Sequence, residues 1–408
     1  MIGSGESELG ITLLPERQRK TKWERLWRSD VSEERPDLVI TAGRVFCADT
    51  GLDQPGGVAF KDGLITASGP DVSGPATEVL DYPDAIILPG LVDLHAHPAP
   101  MSWRWGVDPD TMMLRRGSTT VLSQGDAGAK TWAQYKDTII ETSEARILMA
   151  LSPAVLGEYE KRGVFINLEE LDVEACISVI EKDDEYIWGL ASNLSQFACG
   201  DNDPREVMRR VLVIAERTGK PILYGTRRDA SDWPLSEQLE ALRPGDVVTY
   251  CFIDSDETLD SGGKVVDAFW KARERGILFD LGLGKGTSDL GAAEAALADG
   301  FLPDTISSDI HNTHLDWTPP HDLPMTISRI MAVGLAEKDA FTMSTLRPAE
   351  VLGMKGKIGT LAAGAYADVS VLRWGQKPVS LADTPDGMHI GLALESVVTV
   401  RAGQVFQP

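Results

Sequence analysis

The feature that most constrains this chain is a short apolar run closed by two histidines. Residues Ile86 to Leu94 are mostly apolar, and His95-Ala96-His97-Pro98 follows directly. An apolar run of this length reads as a buried strand. Alternation along a strand puts residues i and i+2 on one face. His95 and His97 therefore point the same way at the C-terminal end of that strand, which makes half of a metal site. The chain has only 6 histidines, and this pair ends its most strand-like apolar run.

Texture changes along the chain. Residues 1–36 are polar and charged, with Trp23 and Trp27 spaced as neighbours on a helix, and read as an N-terminal extension. Residues 37–87 hold short β-rich runs such as Leu38-Val-Ile-Thr and Gly57-Val-Ala-Phe, with Asp62-Gly63 as a hairpin turn. Residues 356–408 have the same texture, which predicts that the two ends meet in one discontinuous β domain. The middle, 88–355, alternates strand and helix. After the His95 strand come Ser118-Thr-Thr-Val-Leu-Ser, Arg146-Ile-Leu-Met-Ala-Leu, Ile187-Trp-Gly-Leu-Ala and Pro221-Ile-Leu-Tyr. Val247-Val-Thr-Tyr-Cys-Phe, Ile277-Leu-Phe-Asp-Leu and Thr305-Ile-Ser-Ser-Asp-Ile complete the series. Val207, Val211 and Ile214 make the apolar face of a helix stopped by Gly219 and Pro221, and Ser288 is the expected cap of the alanine-rich helix from Leu290. About eight βα units suit a closed (β/α)8 barrel. A doubly wound open sheet is the alternative, but no Gly-rich phosphate loop opens a first strand–helix turn. Gly284-Lys-Gly-Thr lacks the spacing of a nucleotide loop.

Charge and cysteines narrow the partners. A formal net charge of −23 repels nucleic acid and anionic membrane surfaces. No apolar run approaches the roughly 20 residues needed to span a bilayer, and no signal peptide is visible. Cys47, Cys176, Cys199 and Cys251 are scattered without a CxxC pair, as reduced thiols of a cytoplasmic protein would be.

In a barrel the active site lies at the C-terminal strand ends. Those ends carry His95 and His97, then Gln124 and Asp126, Ser192 and Asn193, Tyr224, Tyr250, Leu283, and finally Asp309 with His311 two residues on. Two imidazoles and a carboxylate from the first and last strands match a catalytic metal site with a position left for water. Asp309 also suits the role of proton acceptor. Trp103, Arg104 and Trp105 follow the histidine pair and offer aromatic walls with one cation, suited to a small aromatic or anionic substrate. Arg227, Arg228 and Lys285 are further cations on barrel loops, with Arg227 taken as substrate-binding. His314 and His321 are spare candidate ligands.

Several stretches resemble the amidohydrolase superfamily and its dihydroorotase-like deacetylase branch. They are Leu88-Pro-Gly-Leu-Val-Asp-Leu-His-Ala-His, Gly117-Ser-Thr-Thr-Val, Gly125-Asp-Ala-Gly-Ala and Phe301-Leu-Pro-Asp-Thr-Ile-Ser-Ser-Asp-Ile-His. Asp322-Leu-Pro-Met-Thr-Ile-Ser, Arg347-Pro-Ala-Glu-Val-Leu-Gly and Gly359-Thr-Leu-Ala-Ala-Gly-Ala-Tyr-Ala-Asp continue the series, so the resemblance covers about 37–408. It implies an α/β protein: a TIM-like (β/α)8 barrel over 88–355, beside a small β-sandwich built from 37–87 and 356–408. It also implies metal-assisted hydrolysis of an amide, cyclic amide or ester. In the family one metal is held by His, His and Asp, and a second by a carboxylated Lys and two further His. This chain has Ala191, Tyr224 and Tyr250 where the resemblance places that Lys and those His, and Leu283 in place of a further His on the seventh strand.

The expected protein is thus a one-metal hydrolase, a cytoplasmic homo-oligomer acting on a small molecule. It takes one divalent ion (zinc, or else manganese or iron) at His95, His97 and Asp309. Asp309, Tyr224 and Tyr250 are the expected catalytic groups, both tyrosine rings turning into the vacated second position. Trp103, Arg104, Trp105, Gln124, Asp126 and Arg227 are the expected substrate contacts. The alternatives are a non-hydrolytic binding or structural module, and a metal-assisted deaminase or decarboxylase.

Overall fold

The computed structural model describes residues 35–408 except 100, 101, 161, 227–232, 254, 285, 288 and 383–388. Residues 1–34 of the expected extension, Arg227, Arg228, Lys285 and Ser288 lie outside the described residues.

In chain order the strands are β1 (Leu38–Cys47), β2 (Leu52–Lys61), β3 (Leu64–Gly69), β4 (Glu78–Pro89), β5 (Leu91–Ala96), β6 (Ser118–Gln124), β7 (Arg146–Leu151) and β8 (Ile187–Asn193). They continue with β9 (Ile222–Gly225), β10 (Val247–Thr249), β11 (Leu278–Phe279), β12 (Val369–Trp374), β13 (Val379–Ser380), β14 (Ile390–Gly391), β15 (Leu394–Arg401) and β16 (Gln404–Phe406). Two seven-stranded sheets organise them, and β13 pairs with β14 apart from both.

The terminal sheet has the order β16-β15-β12-β4-β1-β2-β3. Its two halves meet where β12 runs antiparallel to β4, with Val369 opposite Pro89 and Leu372 opposite Ile86. Strands from both ends of the chain thus share one sheet. Its buried residues, among them Ile40, Val58, Ile87, Val371 and Val398, form one apolar cluster.

The second sheet is parallel, ordered β11-β10-β9-β8-β7-β6-β5, with helices between successive strands. This mixed α/β arrangement fits a TIM-like barrel. Inside the sheet Val92, Leu94, Leu122, Leu148, Ala150, Ala191, Leu223 and Val247 belong to one apolar cluster. Outside it, Ile187, Leu190, Val207, Val211, Ile214, Tyr224 and Leu239 belong to the larger cluster that the helices share. The helix Pro204–Thr218 starts on an Asp203 cap and ends at Gly219, with Val207, Val211 and Ile214 buried. The helix Leu290–Ala298 is capped by Asp289, whose side chain accepts from Gly291 N and Ala292 N.

Residues 305–310 touch both edges of the parallel sheet. Thr305 O and Ser307 O accept from Leu281 N and Leu283 N (both 3.0 Å), while Asp309 N donates to His95 O (2.8 Å) and Ile310 O accepts from His97 N (3.1 Å). The expected regular strand over Thr305–Ile310 is interrupted, because Asp309 takes φ 48° and leaves extended geometry.

The apolar run that opened the sequence reading is not one strand. Its first part, to Pro89, completes β4 in the terminal sheet, and its second part, from Leu91, is β5 of the parallel sheet. Gly90 makes the change of sheet. Its N–H donates to Asp368 O (2.8 Å), and a Cβ there would stand 2.2 Å from Thr119 Oγ1. Apolar composition alone cannot mark such a change, because both sheets bury their strands.

Candidate metal centre

His95 lies near the end of β5 and His97 just past it, and the 305–310 segment carries Asp309 beside them. Their ligating atoms all lie within 4.8 Å of one another, and all three residues are buried. His95 Nε2 is 3.3 Å and His97 Nε2 3.6 Å from Asp309 Oδ1. Both rings turn the same nitrogen toward the carboxylate, because both Nδ1 atoms are engaged elsewhere.

Thr249, the last residue of β10, donates its hydroxyl to Asp280 Oδ2 (2.8 Å), so its oxygen accepts from His95 Nδ1 (2.8 Å). Asp280 is tied further by Thr305 and Ser307. His97 Nδ1 bonds Asp126 Oδ1 (2.8 Å), and Ser123 donates to Asp126 Oδ2 (2.6 Å). Partners of this kind fix the ring orientation and tautomer of metal-ligating histidines. Burial disfavours the charged form of His97, but Asp126 and Asp309 hold its pKa well above the ordinary imidazole value. Burial likewise acts to raise Asp309, yet His95 and His97 keep its carboxyl well below the usual range. Two imidazole Nε2 atoms and one carboxylate, packed together in a buried site, form a donor set that fits a divalent ion.

Tyr250 and Asp309 are two of the four non-glycine residues with positive φ among the described residues, at 61° and 48°. Side chains held in that region mark places where surrounding structure enforces an unfavourable backbone. The turn at Tyr250 brings its hydroxyl to 3.0 Å from His95 Nε2.

Tyr224 does the opposite, which corrects the expectation that both rings point inward. Its hydroxyl donates to Gln238 Oε1 (2.8 Å) and its ring packs in the outer, helix-side cluster. The inward residue of β9 is Leu223, opposite the inward Ala191 of β8. The four-residue strand alternates as β geometry demands, and residue 224 falls on its outer face.

The other expected contacts divide. Trp103 is buried edge-on against Tyr135 and Tyr159 and packs in the apolar core instead of lining an opening. Arg104 donates to Arg162 O (2.7 Å), and its guanidinium lies over the Trp105 and Phe197 rings (4.4 and 4.6 Å to the centroids). It therefore ties the loops after β5, β7 and β8 together. Trp105 faces the site, with its centroid 6.4 Å from that of His97 and 5.2 Å from that of His311. Asp126 is fully buried and occupied with His97 and Ser123, so it holds the His97 ring and is not free for substrate. Gln124 points inward at the end of β6.

Five of the 6 histidines gather here. His311 lies 6.0 Å from His97 and 4.1 Å from His314, and His314 stacks on His321 (4.3 Å), all as centroid distances. His321 is committed, with Ser308 O accepting from Nε2 (2.7 Å) and Arg329 donating to Nδ1 (2.8 Å). Burial, His314 and the Arg329 guanidinium lower its pKa well below the imidazole range, and burial brings His314 down to about 3. Thr249, Asp280, Ser123 and Glu158 were missed in the sequence. Asp280 did leave a signal, a lone carboxylate inside the apolar strand Ile277-Leu-Phe-Asp-Leu, which needs partners to be buried there.

Known proteins are similar to this chain in sequence and in fold. A model described as the Amidohydrolase family matches residues 270–399. A deacetylase of Agrobacterium fabrum is 29% identical over 326 residues, 76% of this chain and 76% of its own. A deacetylase of Enterococcus faecalis is 24% identical over 376 residues, 91% of this chain and 99% of its own. Among solved structures, a dihydroorotase superposes with TM-score 0.80 at 25% identity, covering 91% of this chain and 97% of that one. An adenine deaminase superposes with TM-score 0.81 at 24% identity, covering 91% and 100%.

The chain belongs to the amidohydrolase superfamily. Amidohydrolases are metal-dependent, and the cluster of His95, His97 and Asp309 is where this one has the donors for an ion. Among the described residues no second group of three such side chains lies close enough together to hold another. No described helix is long and apolar enough to cross a membrane.

Proposed function

We propose that this amidohydrolase cleaves a C–N bond of a small amide or cyclic amide, or a related ester, with one divalent ion held by His95, His97 and Asp309. The ion is zinc, with manganese or iron as the alternatives. The observation that carries the reading is the pair of engaged Nδ1 atoms, on Thr249 and Asp126, which leaves both Nε2 atoms converging on Asp309. Ala191 without a donor, Tyr224 turned outward and Leu283 buried in the apolar core support a single ion. The deacetylase names of the relatives support C–N cleavage.

When bound, the ion supplies Lewis acidity and brings water into the range where it ionises near neutral pH. Asp309 turns Oδ1 to the imidazoles and accepts from the Thr287 hydroxyl at Oδ2 (3.2 Å), which leaves it the proton acceptor of the site. The Tyr250 hydroxyl is released once His95 Nε2 is engaged, and it donates to the carbonyl oxygen on which charge develops. Trp105 walls the site beside His97.

The proposal extends to architecture and setting. Residues 88–355 form the (β/α)8 barrel, closed through 305–310. Residues 37–87 and 356–408 form one β domain, a small sandwich from both termini. The four free, buried cysteines suit a cytoplasmic protein. Exposed Ile390 and Leu392 offer an apolar patch for a homo-oligomer.

Metal analysis and a panel of small amides test the reading. The purified protein is expected to hold about one equivalent of ion, and His95→Ala or Asp309→Ala to lose both ion and turnover. A stable, metal-free protein that hydrolyses nothing would instead be a binding module. Release of ammonia or carbon dioxide would mark deamination or decarboxylation.

A further inference from the structure

Gln124 precedes Gly125, Glu158 and Ala191 flank it, and neither Gln124 nor Glu158 holds a metal ligand in place. Gln124 ends β6 and is 2% exposed. Its register partner on β7 is Ala150, part of the cluster inside the parallel sheet, so the Gln124 side chain also faces inward. Its carboxamide makes no hydrogen bond to any described residue. Neither polar atom of that amide is sealed from solvent, so both can meet a ligand.

Glu158 lies in the loop after β7. Its N–H donates to Gly125 O (2.9 Å), and its side chain comes back over Gly125. A Cβ on Gly125 would stand 3.2 Å from the Ala191 methyl and 3.9 Å from Glu158 Oε1. The carboxylate and the methyl thus flank one point, which the bare α-carbon of Gly125 leaves open. Gly125 also takes φ +72°, so a side chain is disfavoured there twice over. Glu158 is in no ion pair among the described residues. Burial raises its carboxyl above the ordinary range, His97 counters that, Asp126 adds to the rise, and Arg104 and a hydrogen bond from the Trp105 side chain oppose it. The Arg104 guanidinium is turned to Arg162 O and to two aromatic rings.

The Gln124 carboxamide can donate or accept, so the Glu158 carboxylate sets the requirement, and its partner must donate. A carboxylate and the oxygen of a carboxamide are both acceptors, and Asp126 adds a second negative charge nearby. We propose that Gln124 and Glu158 are specificity-determining residues that receive an ammonium group carried by the substrate within a few bonds of the scissile nitrogen. The substrate class is then an amino-bearing amide. This inference rests on the C–N hydrolase reading above.

Two probes of matched shape test it on the full-length, zinc-loaded protein: N-acetylethylenediamine, which has the ammonium, and N-propylacetamide, which has a methyl in its place. The amine is expected to be preferred in kcat/KM on the order of 100-fold, because a site that hydrogen-bonds a substrate group penalises the analogue that lacks it. Glu158→Gln and Gln124→Ala should each bring the ratio of the two probes toward one, with the metal content unchanged. Equal kcat/KM for both probes with the native protein would overturn the proposal and leave the hydrolase reading standing. Loss of metal from Glu158→Gln would also overturn it, because Glu158 would then be a ligand. If neither probe is cleaved, the hydrolase reading is judged by metal content and the amide panel, and calorimetric binding of the same two probes decides the receptor. Preference for the amine that Glu158→Gln abolishes supports it, and equal binding rejects it.

Discussion

The two sides of the strand-end face are built differently. On the side of β5, β10 and residues 305–310, nearly every polar group is tied to another. His95 leans on Thr249 and Asp280, His97 on Asp126 and Ser123, and Asp309 on Thr287. Asp93, below the pair, accepts from Ser308 N (3.0 Å) and Ser308 Oγ (2.5 Å). On the side of β8 and β9, the inward positions are Ala191 and Leu223, and the nearby Gln124 amide is unpaired among the described residues. A metal site needs such a supporting network as well as its three donors. Thr249 also holds the buried Asp280 and Asp126 also holds Ser123, so each supporting residue links its histidine to the strands around it.

This contrast breaks most readily at the supporting residues. Asp126→Asn removes the carboxylate from His97 Nδ1, and Thr249→Val removes the acceptor from His95 Nδ1. Each should weaken metal binding by about 10–100-fold, the usual cost of losing an outer partner of a ligating histidine. Competition with a chelating dye measures it. Gln124→Ala, on the other side, should leave the affinity where it is. Equal losses on both sides would mean that the face is one unit and the contrast is false.

Much of this arrangement was legible in the chain. The i, i+2 spacing puts His95 and His97 on one face, and Asp309 ends a strand-like segment, so the three could be grouped before any coordinates. The Asp62-Gly63 hairpin and the apolar face of 207–214 follow from local rules of the same kind. What stayed hidden depends on distant register. The change of sheet at Gly90 is invisible in a run that is apolar on both sides. Asp126 reads as a strand-end contact for substrate until its distance to His97 is known. Glu158 comes from a loop with no periodicity to place it. The direction of Tyr224 hangs on a strand only four residues long. Aligned by position with a histidine it would face the site, whereas its pairing with Ser192 puts it on the outer face.

The two tyrosines sharpen the comparison further. Tyr250→Phe removes the hydroxyl 3.0 Å from His95 Nε2. It should keep the ion and lower kcat on the order of 100-fold, the range for one lost donor to a developing oxyanion. Unchanged kcat would remove Tyr250 from the chemistry and leave the metal site intact.

Tyr224→Phe should give the smallest effect. Its hydroxyl donates to Gln238 Oε1, and Gln238 Nε2 donates to Trp233 O (2.8 Å), so the residue belongs to a network that anchors the helix Leu235–Glu240 outside the sheet. The phenylalanine ring fills the same space and loses only a hydrogen bond, worth about 1 kcal/mol net. A modest fall in the denaturation midpoint is therefore expected, with metal content and kcat equal to those of the parent. The pair of variants then reads as a map of direction. Tyr250→Phe changes turnover without costing much stability, and Tyr224→Phe does the reverse. If Tyr224→Phe slowed turnover as much as Tyr250→Phe, the residue would have to reach the site in the working enzyme. The outward packing of β9 would then be a state that substrate binding reverses, and the sparsely wired side of the face would be part of the machinery after all.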